Sequence, residues 1–210
     1  MHASASTTTA RPPVSSGRFR WRVVDIVVAS VLGVAAGFIF LAWNIGYLAP
    51  KAILEPLLPG LQGLLDGPWL FAGVLGALII RKPGAAIYTE TLAAVVSALV
   101  GNQWGGFLTI EAGLVQGLGA ELIFLLFFYR AWSLPVAVLA GAGAGLAGAI
   151  NNLILWYAGS DVLFTTVYAV SAVVSGAVFA GLLSWLLARG LAATGALESF
   201  AIGRERRARV

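Results

Sequence analysis

Polar side chains interrupt two otherwise apolar runs. Glu111, Gln116 and Glu121 fall within GGFLTIEAGLVQGLGAELIF (Gly105 to Phe124), and Glu90 falls within TETLAAVVSALVGN, which ends at Asn102. Tyr47, Trp104, Asn151, Asn152 and Trp156 stand near the ends of other apolar runs. Together these residue types suit a small, flat, cationic or amidine-like heterocycle: a carboxylate meets the charge or exocyclic amine, an aromatic face stacks on the ring, and amides supply directional hydrogen bonds. The same inventory argues against catalysis. There is no Cys, the one His is His2 in a polar N-terminal stretch, and neither a nucleophile paired with a base nor G-x-x-x-x-G-K-[ST] occurs. The expectation is a transport component rather than an enzyme, with no metal and no cofactor. Energy for active transport must then come from another chain or from an ion gradient.

Spacing limits how these residues can cooperate. Gln116 and Glu121 are five positions apart, about 140° around a helix, so they cannot share one narrow seam. Glu121 shares its face with Gly113 and Gly117, and Glu90 shares its face with Ala94, Ser97 and Gly101. A charged side chain at mid-bilayer costs roughly 2.5–3.5 kcal/mol on insertion scales, so each buried carboxyl group needs a reason. Ligand binding and hydrogen bonding to a neighbouring helix are both open for Glu90 and Glu121. Trp104 and Trp156 are equally open to ligand stacking and to anchoring at the membrane interface.

The elements that hold these residues follow from composition. Of 210 residues, 60% are hydrophobic and 10% charged, and mean hydropathy is +0.92, the profile of an integral membrane protein. The expected fold is all-α, a polytopic six-helix membrane bundle over residues 21–190. Its spans are expected near 23–48, 69–80, 85–101, 111–129, 134–158 and 163–188, with tails at 1–20 and 191–210. The segment 49–68 contains Pro50, Pro56, Pro59 and Pro68 and cannot be one regular helix; it reads as a partly apolar outer loop or a short re-entrant hairpin. With both termini cytoplasmic, twelve of the thirteen Lys and Arg fall inside and only Lys51 outside. The net charge of +4 is thus topological, not a nucleic-acid footprint.

Small residues recur at helical spacing: Ala29, Gly33 and Gly37 on the first span, and Gly141, Gly145 and Gly148 on the fifth, in line with Asn152. Gly143, Gly145 and Gly148 form a nominal G-x-G-x-x-G. No strand precedes it and it lies inside a bilayer-length run, so it reads as helix packing, not dinucleotide binding.

RKPGAA (Arg81–Ala86), TETLAA (Thr89–Ala94), Gly101–Asn102, VQGLGAE (Val115–Glu121), SLPV and the glycine-rich fifth span resemble the YkoE-like family over roughly residues 20–195. That family comprises substrate-binding S components of energy-coupling-factor (ECF) vitamin importers, linked to thiamine or its hydroxymethylpyrimidine precursor. The resemblance implies a vitamin site near the outer face of a multi-pass plasma-membrane protein. It also implies a transmembrane coupling subunit and two cytoplasmic ATPase subunits as partners. It carries Glu90, Asn102, Gln116 and Glu121 over as pocket residues and places the coupling-subunit contact at Ala29, Gly33 and Gly37, where glycine replaces the family's usual alanine. Tyr47, Trp104, Asn151, Asn152 and Trp156 join the expected pocket on position and chemistry. Two other classes remain: a self-sufficient proton-coupled transporter of a small cationic heterocycle, using Glu90 or Glu121, and a scaffold for another complex.

Overall fold

Uncharged runs, apolar on every side, fold as helices in lipid because each backbone N–H and C=O must find its partner within the segment. In the computed structural model, which describes Gly17 and residues 19–207, the chain is all-helical. The principal helices are α1 (Val23–Gly46), α2 (Leu48–Leu54), α3 (Phe71–Ile80), α4 (Ala85–Val100), α5 (Gly106–Leu126) and α6 (Leu134–Leu155). After them α7 (Val162–Ser175), a π-helical stretch (Gly176–Leu183) and α8 (Ser184–Ala193) run on as one helix of 32 residues, and α9 (Ala201–Arg207) follows. α1, α5, α6 and the helix Val162–Ala193 are long and apolar enough to cross a membrane, while α3 and α4 are shorter apolar helices. Large apolar side chains on the outside of α1, such as Val27, Val31, Phe38 and Ile45, are exposed, as a lipid-facing surface requires.

α3 occupies the centre. Its sequence FAGVLGALII has no polar side chain, and all ten residues are buried. Ten residues rise about 15 Å, roughly half the thickness of a hydrocarbon core. The chain enters α3 through two 3-10 turns, Leu61–Leu65 and Gly67–Trp69, so the proline-rich segment is not merely a surface loop: α2 is followed by turns that lie along α7. Gly60, Gly63 and Gly67 allow this approach. A Cβ on Gly60 would sit 2.5 Å from the Phe164 carbonyl oxygen. Ser175 fixes the same contact by donating to the Leu64 carbonyl (2.5 Å) and accepting from the Gly67 N–H (3.0 Å).

Glycine also brings α6 against both neighbours. Gly143 faces α5, where a Cβ on Gly119 would meet the Gly143 carbonyl oxygen at 2.5 Å, while Gly141 and Gly145 lie against Gly176 and Ala172. The nominal G-x-G-x-x-G is therefore a packing surface. On α1, the stripe expected to touch a coupling subunit is used inside this chain. Ala29 is fully buried, Gly33 faces Leu92, and a Cβ on Gly37 would lie 2.6 Å from Val96 Cβ, so Gly33 and Gly37 pack on α4 and all three residues are buried within the chain.

The fourth span begins earlier than expected, at Gly106, which puts Glu111 more than a turn inside α5. The region after 190 also departs from the expected tail. It turns back through Leu197 and Phe200, both buried, so that Arg81 meets Glu205 in two contacts of 2.5 and 2.9 Å. At the same end, Asp25 of α1 pairs with Arg22 and Lys82, Lys82 Nζ donates to the Arg20 carbonyl (2.7 Å), and Trp21 Nε1 donates to the Pro83 carbonyl (3.0 Å). Most of the expected N-terminal tail, residues 1–16 and 18 with His2 and Arg11, lies outside the described residues, as do residues 208–210.

Candidate functional site

At the opposite end from that clamp, a cavity of about 320 Å³ opens among the C-terminal parts of α1, α4 and α6, the N-terminal parts of α5 and α7, and the 3-10 turns. Five of the nine expected pocket residues line it: Tyr47, Trp104, Gln116, Asn152 and Trp156. The spacing argument for α5 holds here, since Gln116 reaches the cavity and Glu121 does not.

Its walls are aromatic. Tyr47 lies 5.1 Å from Trp69 and 5.6 Å from Trp104, ring centre to ring centre; Trp69 and Trp104 are 6.1 Å apart and nearly perpendicular, and Trp104 and Trp156 are 6.2 Å apart. Asn44 sets the two central indoles. Its Oδ1 accepts from Trp69 Nε1 (2.9 Å) and Trp104 Nε1 (3.2 Å), while its Nδ2 donates to Ser97 Oγ (3.1 Å). Burial raises the pKa of the Tyr47 phenol, so it stays neutral.

One carboxylate lines the cavity, and it is Asp66, which the sequence reading does not pick out. Tyr168 donates to Asp66 Oδ2 (2.7 Å), and Asn152 Nδ2 donates to the Tyr168 hydroxyl (2.8 Å) and, at longer range, to the same Oδ2 (3.4 Å). Burial pushes the Asp66 carboxyl up to about 7, against the opposing pull of the Tyr168 and Asn152 hydrogen bonds. The clue available in the sequence is that Asp66 is the sole charge in LLPGLQGLLDGPW, beside glycines at helical spacing.

The other four expected residues lie outside the cavity lining. Asn102 Oδ1 accepts from the Trp104 N–H (3.0 Å) and Thr109 Oγ1 (3.2 Å), holding the turn that carries Trp104. Asn151 Nδ2 donates to Glu111 Oε2 (3.0 Å), joining α6 to α5. Glu90 and Glu121 both satisfy unpaired N–H groups at the start of a neighbouring helix, where the helix dipole favours negative charge. Glu90 Oε2 accepts from Gly73 N–H of α3 (2.6 Å), and its Oε1 has no partner among the described residues. Glu121 accepts from Gly84 N–H (2.7 Å), Ala86 N–H (2.9 Å) and the Tyr129 hydroxyl (2.8 Å). Thus VQGLGAE and RKPGAA interlock: the glutamate of one motif caps the helix that begins in the other.

Comparisons with known proteins agree with this architecture. The family model for the ABC-type cobalt transport system permease component matches residues 24–147. The chain is 38% identical over 192 residues to the putative HMP/thiamine permease protein YkoE of Bacillus subtilis (strain 168), covering 88% of this chain and 92% of that protein. A crystal structure of an S-component of an ECF transporter superposes with a TM-score of 0.83 at 35% identity, covering 90% of this chain and 95% of the other. Motifs, helical order and the three comparisons lead to one conclusion: the chain belongs to the YkoE-like family of ECF-transporter S components, multi-pass proteins of the plasma membrane.

Proposed function

We propose that this protein binds thiamine or its hydroxymethylpyrimidine precursor from the outer face of the membrane, and delivers it inward as the substrate-binding component of an ECF-type importer. One observation carries the reading: a single carboxylate, Asp66, stands in a 320 Å³ cavity walled by Tyr47, Trp69, Trp104 and Trp156. One carboxylate, amides and phenols among indoles form a donor set for a flat organic cation, whereas a metal ion would ask for several clustered ligands. The naming of the YkoE relative as an HMP/thiamine permease supports the same cargo. In this reading Tyr47, Trp104, Gln116, Asn152 and Trp156 touch the ligand, and Asn102, Asn151, Glu90 and Glu121 support the walls and the helices behind them.

Six crossings with cytoplasmic termini fit the charge distribution. Arg20, Arg22, Arg81, Lys82, Arg130, Arg189, Arg204 and Arg207 gather at the end away from the cavity, and Lys51 stands at the cavity end. The cavity then faces outward, with the segment 49–68 as its lid. Energy is supplied by a transmembrane coupling subunit and two ATPase subunits. The coupling subunit meets a surface other than the Ala29–Gly33–Gly37 stripe, which is buried within this chain, its two glycines against α4.

Titration of the purified protein with thiamine is expected to quench its tryptophan fluorescence with saturation. Failure of thiamine, its phosphates and hydroxymethylpyrimidine to bind would refute the substrate assignment. The buried Oε1 of Glu90, which has no partner among the described residues, favours a second reading, proton-coupled transport by this chain alone. Uptake driven by a pH gradient into vesicles containing only this protein, abolished by Glu90→Gln, would select it.

A further inference from the structure

A second cavity, of about 580 Å³, lies at the other end of the bundle, among the end of α3, the α5–α6 connection, α8 and α9. Its chemistry differs from that of the first. Two guanidinium groups line it, each over an indole: Arg81 lies 5.6 Å from the centre of Trp132, and Arg189 lies 4.4 Å from the centre of Trp185. Arg81 is paired with Glu205, whereas Arg189 is exposed and has no ion-pair partner among the described residues. Ser133 adds a hydroxyl to the same lining.

We propose that this cavity binds the headgroup of an acidic phospholipid, with the phosphate on Arg189 and shared with Arg81. Guanidinium is suited to phosphate because its planar fork donates two parallel hydrogen bonds to an oxyanion, and indole rings favour the headgroup level of a bilayer. A lipid fits better than a soluble phosphate because of what adjoins the cavity. Leu186 and Leu182 are exposed about one and two turns before Arg189 on the same face of the helix Val162–Ala193, providing an apolar track for an acyl chain below the charge. Glu205 acts as an internal anion that engages Arg81 from α9 when the phosphate is absent. Lipid at this site therefore competes with the fold-back of the C-terminal segment.

Native mass spectrometry of the full-length protein in detergent tests this, with phosphatidylglycerol, phosphatidylcholine or inorganic phosphate added. Phosphatidylglycerol is expected to be retained in preference to phosphatidylcholine, and millimolar inorganic phosphate is expected not to displace it. Arg189→Gln should lower phosphatidylglycerol affinity about fivefold, the value of one basic residue near an anionic surface. Glu205→Gln should raise it by freeing Arg81. Thiamine titration and melting temperature of Arg189→Gln are expected to match the parent protein, which separates this site from the vitamin cavity. Equal retention of the two lipids, displacement by inorganic phosphate, or unchanged affinity in Arg189→Gln would overturn the proposal.

Discussion

Tyr168 donates its phenolic hydrogen to Asp66 Oδ2 across 2.7 Å, linking α7 to the turn that enters α3. The bond holds the cavity's carboxylate in place. Asp66→Asn is expected to keep the fold, since an amide oxygen can still accept from Tyr168, but to remove the negative charge. A hydrogen bond to a charged group is worth about 1.5–3 kcal/mol, so thiamine affinity should fall roughly 10- to 150-fold. A neutral pyrimidine analogue should lose much less. Calorimetric titration of both ligands measures the difference, and equal losses would remove Asp66 from the charge-recognition role.

The same carboxyl predicts a pH dependence. With its pKa raised to about 7 by burial, Asp66 is increasingly protonated as pH falls below that value, and a protonated carboxyl does not attract a cation. Thiamine affinity should therefore be highest above pH 7 and fall as pH drops, approaching tenfold per unit well below 7. In Asp66→Asn this dependence should disappear. Binding titrations from pH 5 to 8.5 follow it directly.

Asn44 holds both central indoles through one oxygen, so Asn44→Leu leaves Trp69 and Trp104 without that acceptor. The unmet donors should cost about 1–3 kcal/mol of stability. Thiamine should bind more weakly and quench tryptophan fluorescence less, because the rings lose their fixed orientation. Wild-type quenching in this variant would show that packing alone sets the aromatic walls.

Glu121→Gln tests a structural role for an acid deep in an apolar bundle. Replacing the carboxylate that receives Gly84, Ala86 and Tyr129 should lower stability by about 1–3 kcal/mol, visible as a lower melting temperature. The folded fraction should bind thiamine with unchanged affinity, because Glu121 lies outside the cavity lining. A large loss of affinity at unchanged melting temperature would instead make it a ligand residue.

The helices and the aromatic character of the site were legible because apolar length and residue type are local properties. The partner of a polar group is not local. Glu90 and Glu121 stand out in the sequence as buried acids, yet the N–H groups they receive belong to α3 and α4, 17 and 35–37 residues away. No spacing rule connects them. The Ala29–Gly33–Gly37 stripe likewise announces a close neighbour without saying whether it is another subunit or α4. Asp66 was concealed for the opposite reason. The prolines around it rule out one regular helix and leave a loop or a short re-entrant hairpin, without saying that its glycines let the chain pack inward along α7.

The glycine contacts between α5, α6 and the long C-terminal helix have a consequence for selectivity. Where backbone lies against backbone, there is no rotamer to swing aside and no methylene to compress. The helical frame of the cavity behaves as a rigid mould, and adjustment falls to the indole rings and the 3-10 turns beside them. Such a frame limits how far the indole walls can give way: a ring bearing one additional bulky substituent must find its room from the indoles and turns alone, so analogues should be sorted by shape as well as by charge.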